Sequence, residues 1–216
     1  MNFRVKVMTN NEIFDRFFYH GSPCSIDTFS YKFLGHGMDH NGSGFYFITH
    51  LKEAKNYCEF KRHHEKLITD SSQPTIHKVK LAISNPLLNT TIEPLSKTQV
   101  KAIMRRSPVL EQRIVDYGEP ESEGLENVIN YAAESMIGHD DSPLILTLNM
   151  LSTDFFGDHI EEFNCAIRDI LGYDGLLAQA EDKHWIAVAW FPDQIKIVQR
   201  IPYREPSNDL DEGMTP

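Results

Sequence analysis

Residues 42–58 read GSGFYFITHLKEAKNYC. Two glycines, Gly42 and Gly44, sit in a turn, and FYFIT follows as a short strand rich in aromatic residues. LKEAKNYCEFKRHHEKL then carries a helical pattern that sets Leu51, Ala54, Tyr57 and Cys58 on one stripe. A strand passing straight into a helix predicts a mixed architecture, because each element must bury its apolar side against a different neighbour. The same stretch places Tyr46 on the strand and Tyr57 on the helix, eleven residues apart.

Upstream, RVKVM alternates and FFYH is an aromatic run closed by Gly21, which predicts strands ending near residues 7 and 20. Between them and residue 44, SPCSIDTFSYKFLGHGMDHNGSG reads as a long loop, of the kind that is usually functional or mobile. Downstream, IHKVKLAI (76–83) alternates as a strand stopped by Asn85-Pro86. Ser96 followed by Gln99 is a capping-box pattern opening a helix to about Arg106. Further helices fit about 123–137 and 158–171, the latter ended by Gly172. GLLAQ, HWIAVAWF and QIKIVQRI read as closing strands. The fold class expected is α+β: one domain over 1–200 with strands at both ends and helices between, and a polar, disordered tail over 201–216.

A chain of 216 residues supports one sizeable core rather than two domains joined by a linker. The longest apolar runs, LILTLNML and WIAVAWF, fall well short of the roughly 20 residues that cross a bilayer, so no membrane span or membrane partner is expected. The first twenty residues lack the apolar stretch of a secretory signal, and Cys24, Cys58 and Cys165 show no C-x-x-C spacing. Both point to a reducing, cytoplasmic setting, although delivery into a host or target cell by a route that reads no such signal leaves them unchanged. The net charge of −10 is uneven: residues 116–162 hold 12 Asp/Glu and no Lys or Arg, whereas residues 1–113 hold 16 Lys/Arg against 10 Asp/Glu. The first part suits a phosphorylated ligand, and the acidic segment is either a solvated face or a docking surface for a basic partner.

Several common chemistries find no support. In GHGMDHNGSG the dinucleotide spacing G-x-G-x-x-G fails at His40, and the stretch leads into a strand instead of opening a helix. No P-loop and no G-x-S-x-G nucleophile signature occurs. His36/His40 and His63/His64 are the closest metal-ligand pairs, but neither has third and fourth ligands at zinc-site spacing, so no metal is expected.

YHGS (19–22), residues 42–58, and GYDGLLAQAEDKHWIAVAWFPDQIKIV (172–198) together carry a family resemblance. In order and spacing they resemble the His-Tyr-Glu class of ADP-ribosyltransferases, which includes poly(ADP-ribose) polymerases, diphtheria-type toxins and the transferase domains of phage and bacterial polyvalent proteins. HKVKLAISNPLLN (77–89), and Gly-Tyr-Asp-Gly before a strand followed by Pro-x-Gln-Ile-Lys, echo the phage-type domains. The resemblance spans about residues 17–198 and implies a split antiparallel sheet with flanking helices, and NAD as the substrate. It implies that Tyr46 and Tyr57 clamp the nicotinamide ring by offset stacking. Gly42 and Gly44 would let the backbone approach, the Gly21 backbone would hold the carboxamide, and His20 and Ser22 would hydrogen-bond ribose hydroxyls. Each residue also has a structural reading: an aromatic in FYF belongs in a core, and a histidine at a strand end is satisfied locally.

Anchoring on Trp190 and Gln194, the position of the family's glutamate is taken by Ile186. His184 shares that strand face, and Glu181 or Asp182 in the preceding turn are other carboxylate or base candidates if the register slips. Members with His-Tyr-Ile transfer single ADP-ribose units, so the resemblance implies a mono-ADP-ribosyltransferase of toxin or effector type. Its acceptor would be a macromolecule, protein ahead of RNA or DNA. NAD hydrolysis and a non-catalytic NAD-binding or partner-binding domain stay open. An antitoxin or host protein is the partner expected for the acidic segment 116–162.

Overall fold

The computed structural model describes residues 9–34, 42–58, 73–118, 120–137, 142–180 and 183–204. The expected strand near residue 7, the end of the 51–67 helix, His36, His40, His63, His64, Glu181, Asp182 and the tail from 205 lie outside them. Among the described residues, seven strands form one sheet in the order β4-β5-β6-β2-β1-β3-β7. They are β1 Phe18–Ser22, β2 Phe45–Ile48, β3 Thr75–Leu81, β4 Pro86–Leu88, β5 Gly175–Gln179, β6 Trp185–Ala189 and β7 Ile195–Pro202. All neighbours are antiparallel except β4 and β5. The α+β class expected from the sequence is the class observed.

Alternation along the strands divides the core into layers. Phe45 and Phe47 of β2, Ala187 and Ala189 of β6, and Val79 and Leu81 of β3 share one face with Ile13 of α1 (Asn10–Phe14) and Phe29 of the following loop. Leu176, Ala178, Val188 and Trp190 line the other face beneath α3 (Lys97–Met104), α6 (Leu125–Met136), α7 (Leu144–Leu151) and α8 (Ile160–Leu171), the short α4 (Leu110–Arg113) and α5 (Pro120–Glu123) lying between α3 and α6 along the chain. A smaller cluster of Ile48, Ile76, Ala54 and Cys58 lies under α2 (Leu51–Cys58). The stripe expected on α2 is therefore narrower than its periodicity suggests: Ala54 and Cys58 are buried, but Leu51 and Tyr57 are exposed. The reason is the close seating of the helix. A Cβ built on Gly21 would lie 1.8 Å from the Ala54 carbonyl oxygen, so only glycine in β1 lets α2 settle that near.

Local signals in the sequence become specific bonds. The Ser96 Oγ accepts from the Gln99 amide (3.3 Å) while the Gln99 Oε1 accepts from the Ser96 amide (2.9 Å), closing the capping box at the start of α3. α8 ends at Gly172, which takes φ +81° in the left-handed region. LILTLNML, apolar almost throughout, forms α7, and Pro86–Leu88 adds a short parallel strand after the predicted stop. α1 was likewise not apparent from its polar sequence. The bases on α3 neutralise part of the acidic segment: Lys101 and Arg105 both reach Glu126 (2.6 Å each), and Lys97 pairs with Glu134.

Two polar residues tie the sheet's turns together. The Asp174 carboxylate accepts from the amides of Ser84 and Asn85 (2.8 Å each). The buried Gln194 accepts from the Trp190 and Phe191 amides through Oε1 (3.1 and 3.0 Å) and donates from Nε2 to the Asp174 carbonyl (2.7 Å). These bonds give Gly-Tyr-Asp-Gly and Pro-x-Gln a scaffolding role. Replacing Gln194 strands the buried amides of Trp190 and Phe191 and the part-buried Asp174 carbonyl, so Gln194→Ala is expected to lower unfolding free energy by about 2–3 kcal/mol, read as a shifted urea midpoint.

His77 on β3 is fully buried and shares the face of Val79 and Leu81. Burial, helped by its neighbour His20, holds its pKa down at about 4, against an ordinary value of 6.5. The unfolded chain thus binds more protons between pH 6.5 and 4, and stability falls as pH drops through that window. The loss expected from this residue is on the order of 2–3 kcal/mol. Urea midpoints measured at pH 7.5 and 4.5 should show it, and His77→Gln should flatten most of the dependence.

Candidate active site

β1 and β2 meet through a single register pair, Tyr19↔Ile48. From His20 onward β1 stays with β3, down to Ser22↔Thr75. β2 instead follows β6 from Ile48↔Ile186 to Phe45↔Ala189. The sheet therefore splits between Gly21–Ser22 and Phe45–Tyr46, and the residues singled out from the sequence gather along that seam.

His20 bridges it. Its Nδ1 lies 2.9 Å from the Tyr46 carbonyl oxygen, which can only accept, so Nδ1 carries the proton and Nε2 is left as an acceptor. Burial lowers the His20 pKa, and the bond to Tyr46 offsets part of that, so the ring is neutral near pH 7. Around it stand Phe29 (centroids 5.3 Å, edge-on), Phe47 (5.6 Å) and His77 (6.1 Å).

His77 was not singled out from the sequence. Its Nε2 accepts from the Ile26 amide at 2.9 Å, and its buried Nδ1 has no hydrogen-bond partner among the described residues. The signal was available in the alternation of HKVKL, where His77 shares its parity with Val79 and Leu81 and not with Lys78 and Lys80. Through Ile26, His77 also fixes the loop after β1. Arg200 of β7 donates to the carbonyls of Ile26 and Asp27 (3.1 Å each), and the Tyr31 hydroxyl donates to the Trp190 carbonyl (2.7 Å). The described part of this long loop is thus a pinned cover over His20.

The other positions divide between the two faces of the sheet. Tyr46, Ile48 and Ile186 lie on the helical side, opposite His20, so His20 meets Tyr46 through the backbone and not ring to ring. The Tyr46 hydroxyl donates to the Gly42 carbonyl at 2.5 Å. Tyr57, more than half exposed at 57%, projects from α2 with its Cβ 3.1 Å from where a Gly21 Cβ would stand. Ser22 is buried and its Oγ accepts from the Cys24 amide (3.3 Å). Gly44 presses on β6, where a Cβ would come within 2.5 Å of Val188 Cγ1.

Ile186 sits half-buried between Ile48 and Ala178. Two residues earlier, His184 stacks on His50, with centroids 3.9 Å apart and planes 14° from parallel. A shallow cavity of about 320 Å³ beside Arg105, Pro108 and Glu111 lies on the helical layer, away from the seam.

A family model described as "ADP-Ribosyltransferase in polyvalent proteins" matches residues 16–200, which contain every one of these positions. Neither a curated protein nor a solved structure gives a significant match to the chain. Its mostly antiparallel sheet with flanking helices agrees with that family's fold, and no described helix is long and apolar enough to cross a membrane. With the match covering most of the chain, the protein belongs to the ADP-ribosyltransferases of polyvalent proteins.

Proposed function

We propose that the chain cleaves NAD at the nicotinamide–ribose bond and transfers one ADP-ribose unit to a macromolecular acceptor, protein ahead of RNA or DNA. The observation that carries this reading is the open seam bridged by the His20–Tyr46 bond, with Gly21 and the exposed Tyr57 beside it. In this reading NAD enters where β1 and β2 part. The Gly21 backbone orients the carboxamide, and Tyr57 and Tyr46 bracket the ring. His20 Nε2 accepts from a ribose hydroxyl, and Ser22 Oγ lies two residues further along the same strand.

The glycosidic C–N bond breaks first, and nicotinamide leaves with the bonding pair. Positive charge then develops on the ribose ring, an acceptor oxygen or nitrogen bonds to C1′, and its proton passes to a carboxylate of the acceptor or to water. With Ile186 where the family places a glutamate, no side chain at that position takes the proton or orients a growing polymer. Positioning and electrostatic stabilisation still act, which suits single transfer to an acceptor that carries its own carboxylate. The apolar setting of Ile186 between Ile48 and Ala178 favours one second reading, NAD binding without turnover. A role as a toxin or effector delivered into another cell fits transfer to a foreign acceptor. Those acidic residues of segment 116–162 not engaged by α3 would dock an antitoxin or host protein.

Incubation of the protein with NAD labelled in the adenylate and a cell lysate is expected to label discrete protein bands. Label confined to a nuclease-sensitive fraction would move the acceptor to nucleic acid, free nicotinamide without labelled macromolecule would indicate hydrolysis, and tight binding with neither product would establish the second reading. Tyr57→Ala, at an exposed position, is expected to weaken NAD binding by roughly 2- to 10-fold, the worth of one aromatic stack. Unchanged affinity by calorimetry would remove Tyr57 from the clamp. Ile186→Glu is expected to raise NAD hydrolysis or start elongation, whereas His184→Ala is not.

A further inference from the structure

His50 and Glu53 at the start of α2, and His184 just before β6, bring potential ligand atoms close together. The ladder between β2 and β6 continues past Ile48↔Ile186: the Thr49 amide donates to the Trp185 carbonyl (3.0 Å), and the Trp185 amide donates to the Thr49 Oγ1 (3.0 Å). Two residues further on, the same register brings His50 opposite His184, on the face that carries Ile186. Glu53, in the first turn of α2, lies three residues beyond His50 on the same side of the helix. One ligand atom from each of the three residues falls within 4.8 Å of the others.

The arrangement leaves an unmet demand. The Nδ1 of His50 is buried without a hydrogen-bond partner among the described residues, and the nearest acid oxygen, Glu53 Oε1, is 3.8 Å away, too far for a hydrogen bond. Stacking alone does not explain it, because a stacked imidazole still presents both nitrogens in its plane. A cation between these atoms would satisfy Nδ1.

We propose that His50, Glu53 and His184 form a binding site for a divalent transition-metal ion of the zinc type. Two imidazoles and one carboxylate suit Zn²⁺ and disfavour Mg²⁺ or Ca²⁺, which take oxygen ligands. Tetrahedral ligation at 2.0–2.1 Å sets neighbouring ligand atoms about 3.3 Å apart. The ligand atoms must therefore close by up to about 1.5 Å, and because the in-plane lone pairs of stacked rings do not meet, the two imidazoles must leave their stack by rotating about χ2. Three protein ligands leave the fourth position for water or an incoming donor. The ion would staple the start of α2 to the entry of β6, two residues beyond Ile48↔Ile186, and so hold the helix that carries Tyr57. The site is independent of whether NAD is turned over.

Metal-free full-length protein titrated with Zn²⁺ is expected to take up one equivalent and to show a higher thermal midpoint, since the ion binds the folded chain. Co²⁺ used as a probe should give the visible bands of a low-coordinate histidine site. Glu53→Gln and His184→Ala are each expected to weaken Zn²⁺ uptake by at least about 10-fold, with metal-free thermal midpoints matching that of the parent. Absence of uptake, a preference for Mg²⁺ or Ca²⁺, or uptake of unchanged affinity in both variants would overturn the assignment. The last result would place the ion on other histidines.

Discussion

Beyond Tyr19↔Ile48 the facing edges of β1 and β2 no longer exchange ladder bonds, and the backbone groups on them need other partners. His20 supplies one by donating Nδ1–H to the Tyr46 carbonyl. The other groups on these edges make no ladder bonds across the seam, and the two strands are held apart by their outer partners. β1 is held from its far side by β3, and β2 by β6, so neither strand needs the other. α2 spans the opening, and its approach is limited by contact between Gly21 and Ala54.

Keeping a histidine neutral in such a place requires support from behind. Phe29 and Phe47 pack against the His20 ring, and His77 stands beside it as a second neutral imidazole. A cation in place of His77 would push the His20 pKa lower still and repel developing positive charge on a ribose. A carboxylate would raise that pKa and favour the imidazolium. The neutral pair avoids both effects. The Ile26 amide on His77 Nε2 and the two Arg200 bonds then fasten the covering loop without placing a charge against His20.

Much of this was legible in the sequence wherever chemistry is local. The capping box at Ser96, the Gly172 terminus and the closing strands depend on near neighbours, and each was readable from a few letters. The strand-to-helix stretch at 42–58 gave the mixed fold for the same reason. What escaped reading depends on long-range pairing. LILTLNML is apolar almost all round, so periodicity could not choose helix or strand; Pro86–Leu88 becomes a strand only because β5 lies beside it. Spacing set Tyr57 on the stripe shared with Ala54 and Cys58, yet the glycine that draws α2 close leaves its ring outside. His50, Glu53 and His184 could not be grouped without the β2–β6 register, since 131 positions separate Glu53 from His184.

The bonds made by Asp174 and Gln194 bear on how this scaffold tolerates sequence drift. Both side chains engage the main chain: Asp174 accepts from the amides of Ser84 and Asn85, and Gln194 accepts from those of Trp190 and Phe191 and donates to the Asp174 carbonyl. A main-chain amide is offered by every residue except proline, so the positions they grip can change identity while the grip persists. Two side chains thus fix the geometry of three turns and leave the surrounding letters free to vary. Relatives could share this architecture with little overall identity, and their kinship would be carried by short islands such as Gly-Tyr-Asp-Gly and Pro-x-Gln.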